Sequence, residues 1–216
     1  MIKILVYRLD HPMPSNEMVQ LKLSSLPIQV QQSIGRYVEP TDKLLRLAGK
    51  LLLQEMIKEL AIGNSALLNE LSWYKKGKPH LNGHVFFSLS YAKDMAICAA
   101  SLESEIGIDI EKIMAIDKHL FRDYFTQQEW TSIASSKEEL VAFYDYWTRK
   151  EAIVKLQGQG LESALSKIDT VSNEVEIGGN LFYLQKIEVL PGYSCHVATG
   201  MPGQIIAIGE SNILFQ

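Results

Sequence analysis

Cysteine is scarce in this 216-residue chain: Cys98 and Cys195 are its only two, each inside an apolar run, and no Cys-x-x-Cys pair occurs. That excludes a disulfide-framed secreted domain and a zinc ribbon, and reads as two reduced thiols of a core. The five histidines, at positions 11, 80, 84, 119 and 196, never show His-x-x-x-His spacing, which speaks against zinc. Excess positive charge is missing too. The net charge is −4, so the molecule as a whole has no attraction for nucleic acid or an anionic membrane. A phosphate ligand would need a local cluster of Lys and Arg. No apolar run is long enough to span a bilayer, and Met1 to Arg8 is too short for a signal peptide, so a cytoplasmic protein beginning with a strand is expected. No Gly-x-Ser-x-Gly elbow supports a serine hydrolase, and Gly158-Gln159-Gly160 follows a helix without a third glycine, unlike a dinucleotide fingerprint.

What is present is apolar material: 47% hydrophobic residues fill one large domain or two small ones packed as one unit. After the first strand, the turn Asp10 to Pro14 leads into polar helical segments up to Tyr37. Thr41-Asp42 then reads as the cap of a core helix, because Leu44, Leu45, Leu47, Leu51, Leu52, Met56, Ile57 and Leu60 recur at helical spacing before Gly63-Asn64. A basic loop from Trp73 to Pro79 precedes two strands, Val85 to Ser90 and Met95 to Leu102, joined by Tyr91 to Asp94. Beyond a third strand at Ile106 to Lys112 come a short helical stretch around His119 to Phe125, helices at Gln127 to Ser135 and Glu138 to Gln157, and strands separated by Ser172-Asn173, Gly178-Gly179-Asn180, Pro191-Gly192 and Gly200 to Gly203. The order strand, helices, strands occurs twice. An α+β fold of two similar halves is expected, 1–104 and 105–216, each a long helix on a small mostly antiparallel sheet.

Two charged patterns stand out. In Ile106-Gly107-Ile108-Asp109-Ile110-Glu111-Lys112 the side chains alternate, so Ile108 and Ile110 face a core while Asp109 and Glu111 share the other face. Paired carboxylates are hard-oxygen donors suited to Mg²⁺, although an amphipathic strand wetting two acids has the same pattern. Downstream, Trp147, Glu151 and Lys155 fall four residues apart on one helical stripe, with Lys150 beside it. An aromatic on that stripe points to a partly buried Glu and Lys at the lip of a cleft rather than a solvated ion pair.

Gly107-Ile108-Asp109-Ile110-Glu111 followed by Trp147-Thr148-Arg149-Lys150-Glu151 and Lys155 resembles the paired signature of the 4′-phosphopantetheinyl transferases. Gly77-Lys78-Pro79, Phe87-Ser88-Leu89-Ser90-Tyr91, Phe125-Thr126-Gln127-Gln128-Glu129 and Gly158-Gln159-Gly160-Leu161 extend the resemblance to the surfactin-synthetase-activating, monomeric branch. The resemblance implies a pseudo-twofold pair of α+β halves with the site between them: a coenzyme A-binding half and a Mg²⁺-binding, catalytic half. It implies transfer of the phosphopantetheine arm of coenzyme A, as co-substrate, to a serine of an apo acyl or peptidyl carrier protein, with no nucleic-acid or membrane partner. Asp109, Glu111 and Glu151 match metal ligands. Glu151 also matches a general base, and Lys155 a cation steadying the leaving phosphate, with Lys150 nearby. Glu129 matches a further acid as a ligand through water, a second base or a helix-surface acid. Arg46, Lys78, Pro79, Ser90 and Tyr91, with Lys150 and Lys155, would contact the coenzyme.

Three positions depart from the family. Tyr91 stands where a histidine commonly grips the 3′-phosphate, Leu45 stands where an arginine is usual with Arg46 one step later, and Gln29 to Gln32 replace upstream lysines. A tyrosine carries no positive charge near neutral pH, and one helical step turns a side chain by about 100°. Either the grip on that phosphate is looser, or Arg36, Lys43, Arg46 and Lys93 supply charge from shifted positions. A non-catalytic module that binds coenzyme A or a carrier is the competing reading, disfavoured by the complete set Asp109, Glu111, Lys150, Glu151 and Lys155. Residues from Lys112 to Phe125 are the expected carrier-docking surface, since an acidic carrier needs a local basic or apolar patch on an acidic enzyme.

Overall fold

The computed structural model describes residues 1–9, 13–60, 65–73, 79–81, 85–158 and 165–213. In chain order the elements are β1 (Ile2–Arg8), α1 (Asn16–Ser24), α2 (Ile28–Gly35), α3 (Pro40–Glu59), β2 (Ser72–Trp73), β3 (Pro79–His80), β4 (Phe86–Ala92), β5 (Met95–Ser101), β6 (Ile106–Lys112), α4 (Gln127–Ser135), α5 (Glu139–Gln157), β7 (Glu174–Ile177), β8 (Asn180–Lys186), β9 (Tyr193–Thr199) and β10 (Ile206–Glu210), with 3₁₀ turns at Ser65–Glu70, Lys118–Tyr124 and Leu165–Lys167. The chain divides into two compact units: of the described residues, 1–9, 13–60, 65–73, 79–81, 85–102 and 205–213 form one, and 103–158 and 165–204 the other. Both are α+β, and among the described residues no helix is long and apolar enough to cross a membrane.

The first unit carries a four-stranded sheet in the order β10-β1-β5-β4, with α3 packed on it. Leu44, Leu45, Leu47, Leu51, Leu52, Met56 and Ile57 of α3 are buried together with Phe87, Ala96 and Cys98, which is the apolar stripe read from the sequence. The helix starts earlier than Thr41-Asp42: Pro40 occupies its first turn, where a missing N–H costs nothing, and Asp42 becomes a first-turn acid favoured by the helix dipole. Its C-cap is Leu60, while Gly63-Asn64 lie outside the described residues. Strand β4 runs to Ala92, past the predicted end at Ser90. Strand β10 pairs in parallel with β1, Ile2 opposite Ile206, so the last residues belong to the first unit and not to a half ending at 216. Alternation identifies a strand but not the sheet it joins.

The second unit has an antiparallel sheet in the order β6-β9-β8-β7, with α5 lying on β6 and β9. Gly107 explains how closely the helix lies: a Cβ there would come within 2.0 Å of the Ala152 carbonyl oxygen and 2.4 Å of the Leu156 nitrogen. Gly107, Asp109 and Glu111 share one face of β6 by the period of two, so the acids look toward the helix and not toward bulk water. Ala152, Ile153, Val154 and Leu156 fill the core beneath α5 with Leu184 and Ala198. Gly158, at φ 66°, ends α5 in the left-handed conformation that glycine adopts without strain.

Candidate functional site

Asp109 is 3% exposed on β6, and Lys155, near the end of α5, donates to its Oδ1 at 2.6 Å. Glu111 stands two residues further along the strand, and Glu151 one helical turn before Lys155, so helix and strand periodicities bring three carboxylates and one ammonium together. Burial pushes the Glu111 carboxyl up to about 7, and the negative charges of Asp109 and Glu151 push the same way while Lys155 opposes them. Glu151 is likewise raised to about 7, by burial first and Asp109 second. Its Oε1 is buried and accepts no hydrogen bond among the described residues. Trp147 does sit against protein, stacked on Phe143 at 14° and edge-on to Phe121 and Tyr124.

Lys150 is elsewhere. It is 0% exposed and bonds Glu129, also 0% exposed, at 2.7 Å. Its remaining hydrogens go to the carbonyls of Leu165, at 2.9 Å, and Ile168, so all three donors of the ammonium are used. Glu129 is as fully engaged: Oε2 accepts from Thr126 N at 2.8 Å, and Oε1 from the backbone and hydroxyl of Thr170 at 2.8 and 2.7 Å. The placing of Lys150 among the coenzyme contacts is therefore corrected. One helical step from Glu151 is enough to turn it into the interior, where it ties α5 to the segment after it. Glu129 is neither a surface acid nor in contact with solvent. It completes a capping box with Thr126 at the start of α4.

In the first unit, Arg46 stacks its guanidinium 3.8 Å from the Tyr91 ring centroid and 4.7 Å from that of Tyr37. Tyr91 hydrogen-bonds the same guanidinium, and burial pushes its phenol well above the usual range, so it stays neutral. Leu45 is 3% exposed in the core, which leaves the next helical position to present the cation. Ser90 lies inside β4 at 2% exposure, and the strand runs on past it to Ala92. Pro79 opens β3, half-buried opposite Trp73, and Lys78 lies outside the described residues.

A sequence profile of the 4′-phosphopantetheinyl transferase superfamily matches residues 105–194, the stretch holding both charged motifs. The chain is 28% identical to 4′-phosphopantetheinyl transferase gsp of Aneurinibacillus migulanus over 80% of its own length and 75% of that protein. It is 26% identical to 4′-phosphopantetheinyl transferase Sfp of Bacillus subtilis over 93% of both chains. With the mouse L-aminoadipate-semialdehyde dehydrogenase-phosphopantetheinyl transferase it shares 27% identity over 83% of this chain and 63% of that protein. Residues 105–194 thus match the 4′-phosphopantetheinyl transferase superfamily, and the chain is similar to transferases of that name over most of its length.

The acids of the matched signature lie on the face of β6 that meets α5. Two residues escaped the sequence reading. The capping role of Glu129 was legible in Thr126-x-x-Glu129, a spacing that marks a helix start. Lys50 was not: it follows Arg46 by one helical turn, yet nothing in its neighbours announces that it is buried, at 8% exposure. The chemistry of the donor set fits the Mg²⁺ implied by the family, since three hard-oxygen side chains repel one another and Glu151 Oε1 has no donor among the described residues. Among the described residues, no three His, Cys, Asp or Glu side chains are already grouped as metal ligands.

Proposed function

We propose that this chain transfers the 4′-phosphopantetheine arm of coenzyme A to a serine hydroxyl of an apo acyl or peptidyl carrier protein, with Mg²⁺ and with release of 3′,5′-ADP. The serine oxygen attacks the phosphorus bearing the pantetheine arm, the P–O bond to the nucleotide breaks, and the serine proton leaves to a base. Glu151 is that base. In the metal-free protein burial raises its carboxyl to about 7, which makes it a stronger base than a free carboxylate. Asp109 and Glu111, with Glu151 beside them, would hold the metal, which when bound offsets the charge of the pyrophosphate oxygens. Lys155, already on Asp109, offers a cation to the leaving phosphate. Arg46, Tyr91 and Pro79 serve the nucleotide end of the coenzyme.

The observation that carries this reading is the cluster of Asp109, Glu111 and Glu151 beside Lys155, whose acids push the Glu111 carboxyl up, in a stretch that matches this superfamily. For the carrier, Met114 at 40%, Ile116 at 39% and Leu120 at 77% exposure support docking just past β6. Large apolar side chains are exposed there, and of the cations Lys118 is paired with Glu139. The test is to incubate the protein with apo carrier proteins, coenzyme A and Mg²⁺ and measure intact carrier mass. The phosphopantetheine increment is expected. Binding of coenzyme A with no increment on any carrier would favour the non-catalytic module.

A further inference from the structure

Lys50 is a buried cation with no carboxylate beside it among the described residues. It lies on α3 one turn after Arg46, is 8% exposed, and the charges acting on it come from the Cys98 thiol and from Arg46, not from a carboxylate. Burial pulls its ammonium down to about 8, and Arg46 pulls it further the same way. Two like charges at this helical spacing destabilise the helix, and a buried unpaired charge costs far more. Such an arrangement persists where a ligand supplies the missing charge.

The neighbours fix what that ligand is. Arg46 is held by the rings of Tyr91 and Tyr37, at 3.8 and 4.7 Å, so its planar fork is oriented before anything binds. A Cβ on Gly49 would lie 2.5 Å from the Tyr91 hydroxyl, so glycine at 49 is what lets that ring sit against α3. Tyr91 gives a hydrogen-bonding group but no charge, and Cys98, pushed up to about 12 by burial, stays a thiol. Two fixed cations and a neutral hydroxyl in a nearly enclosed place match a dianion with several acceptor oxygens.

We propose that Lys50, together with Arg46, binds a phosphate monoester, which on the function proposed above is the 3′-phosphate of coenzyme A. The positive charge lost where Tyr91 replaces histidine is thus returned from position 50, and the grip on that phosphate is retained.

Calorimetric titration of wild type, Lys50→Met and Lys50→Arg with coenzyme A and with dephospho-coenzyme A tests this. Wild type should prefer coenzyme A by about tenfold or more, as charge-assisted bonds to one phosphate provide. Lys50→Met should lose that preference with its dephospho-coenzyme A affinity unchanged, and Lys50→Arg should keep most of it. In thermal unfolding, inorganic phosphate should raise the Tm of wild type but not of Lys50→Met. In phosphate-free buffer the variant should be at least as stable as wild type, because it removes an unpaired buried charge. An unchanged coenzyme A preference in Lys50→Met overturns the proposal, as does equal weakening of both ligands with a lowered Tm, which would make Lys50 structural. Should neither nucleotide bind wild type while phosphate still stabilises it through Lys50, the coenzyme reading fails and the anion site stands.

Discussion

Helix α5 carries two lysines five residues apart, each paired with an acid from another element, and the two pairs could hardly differ more. Lys150 and Glu129 are both fully buried, and each polar site on them is used, by one another, by carbonyls and by Thr126 and Thr170. Lys155 and Asp109 belong to a group rich in acids: Glu111 and Glu151 sit beside them, both raised to about 7, and Glu151 keeps a buried oxygen without a donor among the described residues. A satisfied pair holds a fold together. An unsatisfied one leaves electrostatic energy for a ligand to release. The same sequence run, Trp147 to Lys155, contains both lysines, and the direction each side chain takes from the helix separates them.

The largest effect expected from breaking this contrast is on the satisfied pair. Glu129→Ala leaves the Lys150 ammonium buried without its carboxylate and should cost about 3–5 kcal/mol in denaturant unfolding. The double variant Glu129→Leu, Lys150→Met should recover a large part of that loss. Next comes Gly107→Ala, whose Cβ meets the Ala152 carbonyl oxygen at 2.0 Å and must push α5 off β6. An overpacking loss of about 1–3 kcal/mol is expected, with transfer activity falling further, because Glu151 and Lys155 move with the helix.

How much of this was legible follows the physics of each signal. The helical stripe of α3, the Gln127 and Glu139 helices, and the glycine stop at 158 could be read because local periodicity and capping dictate them. Asp109 and Glu111 were legible as a pair through strand alternation, but not the helix covering their face, though Gly107 marks where it approaches. Lys150 was misread because helical spacing puts it beside the Glu151 stripe, and one step decides between cleft and core. The enclosure of Ser90 and Lys50 and the sheet that β10 joins depend on long-range packing that no local pattern encodes.

Two pH dependences of about 1–3 kcal/mol sharpen the comparison with opposite slopes. Glu111 and Glu151 hold protons more tightly when folded, from the ordinary 4.5 up to about 7, so the stability they contribute is full below pH 4.5 and is lost as pH rises to about 7. Mg²⁺ should therefore stabilise the protein more at pH 8 than at pH 5.5, with proton release on binding. His196 behaves inversely. Buried beside Thr148, whose hydroxyl lies 2.9 Å from its Nδ1, it is pulled down to about 4, so its contribution is present above pH 6.5 and is lost as pH falls toward 4. Thermal unfolding of His196→Gln across pH 4–7 should show a shallower acid limb than wild type.

Glu151→Gln puts the distinction between the two pairs to its most direct test, with intact carrier mass and unfolding free energy measured at pH 8 on one metal-free preparation, the transfer assay being started by adding Mg²⁺. Loss of phosphopantetheine transfer with stability equal to or above wild type, by about 1–3 kcal/mol, is the result predicted for a strained carboxylate kept for chemistry. A variant that still loads the carrier at the wild-type rate, or that unfolds as Glu129→Ala should, would contradict it.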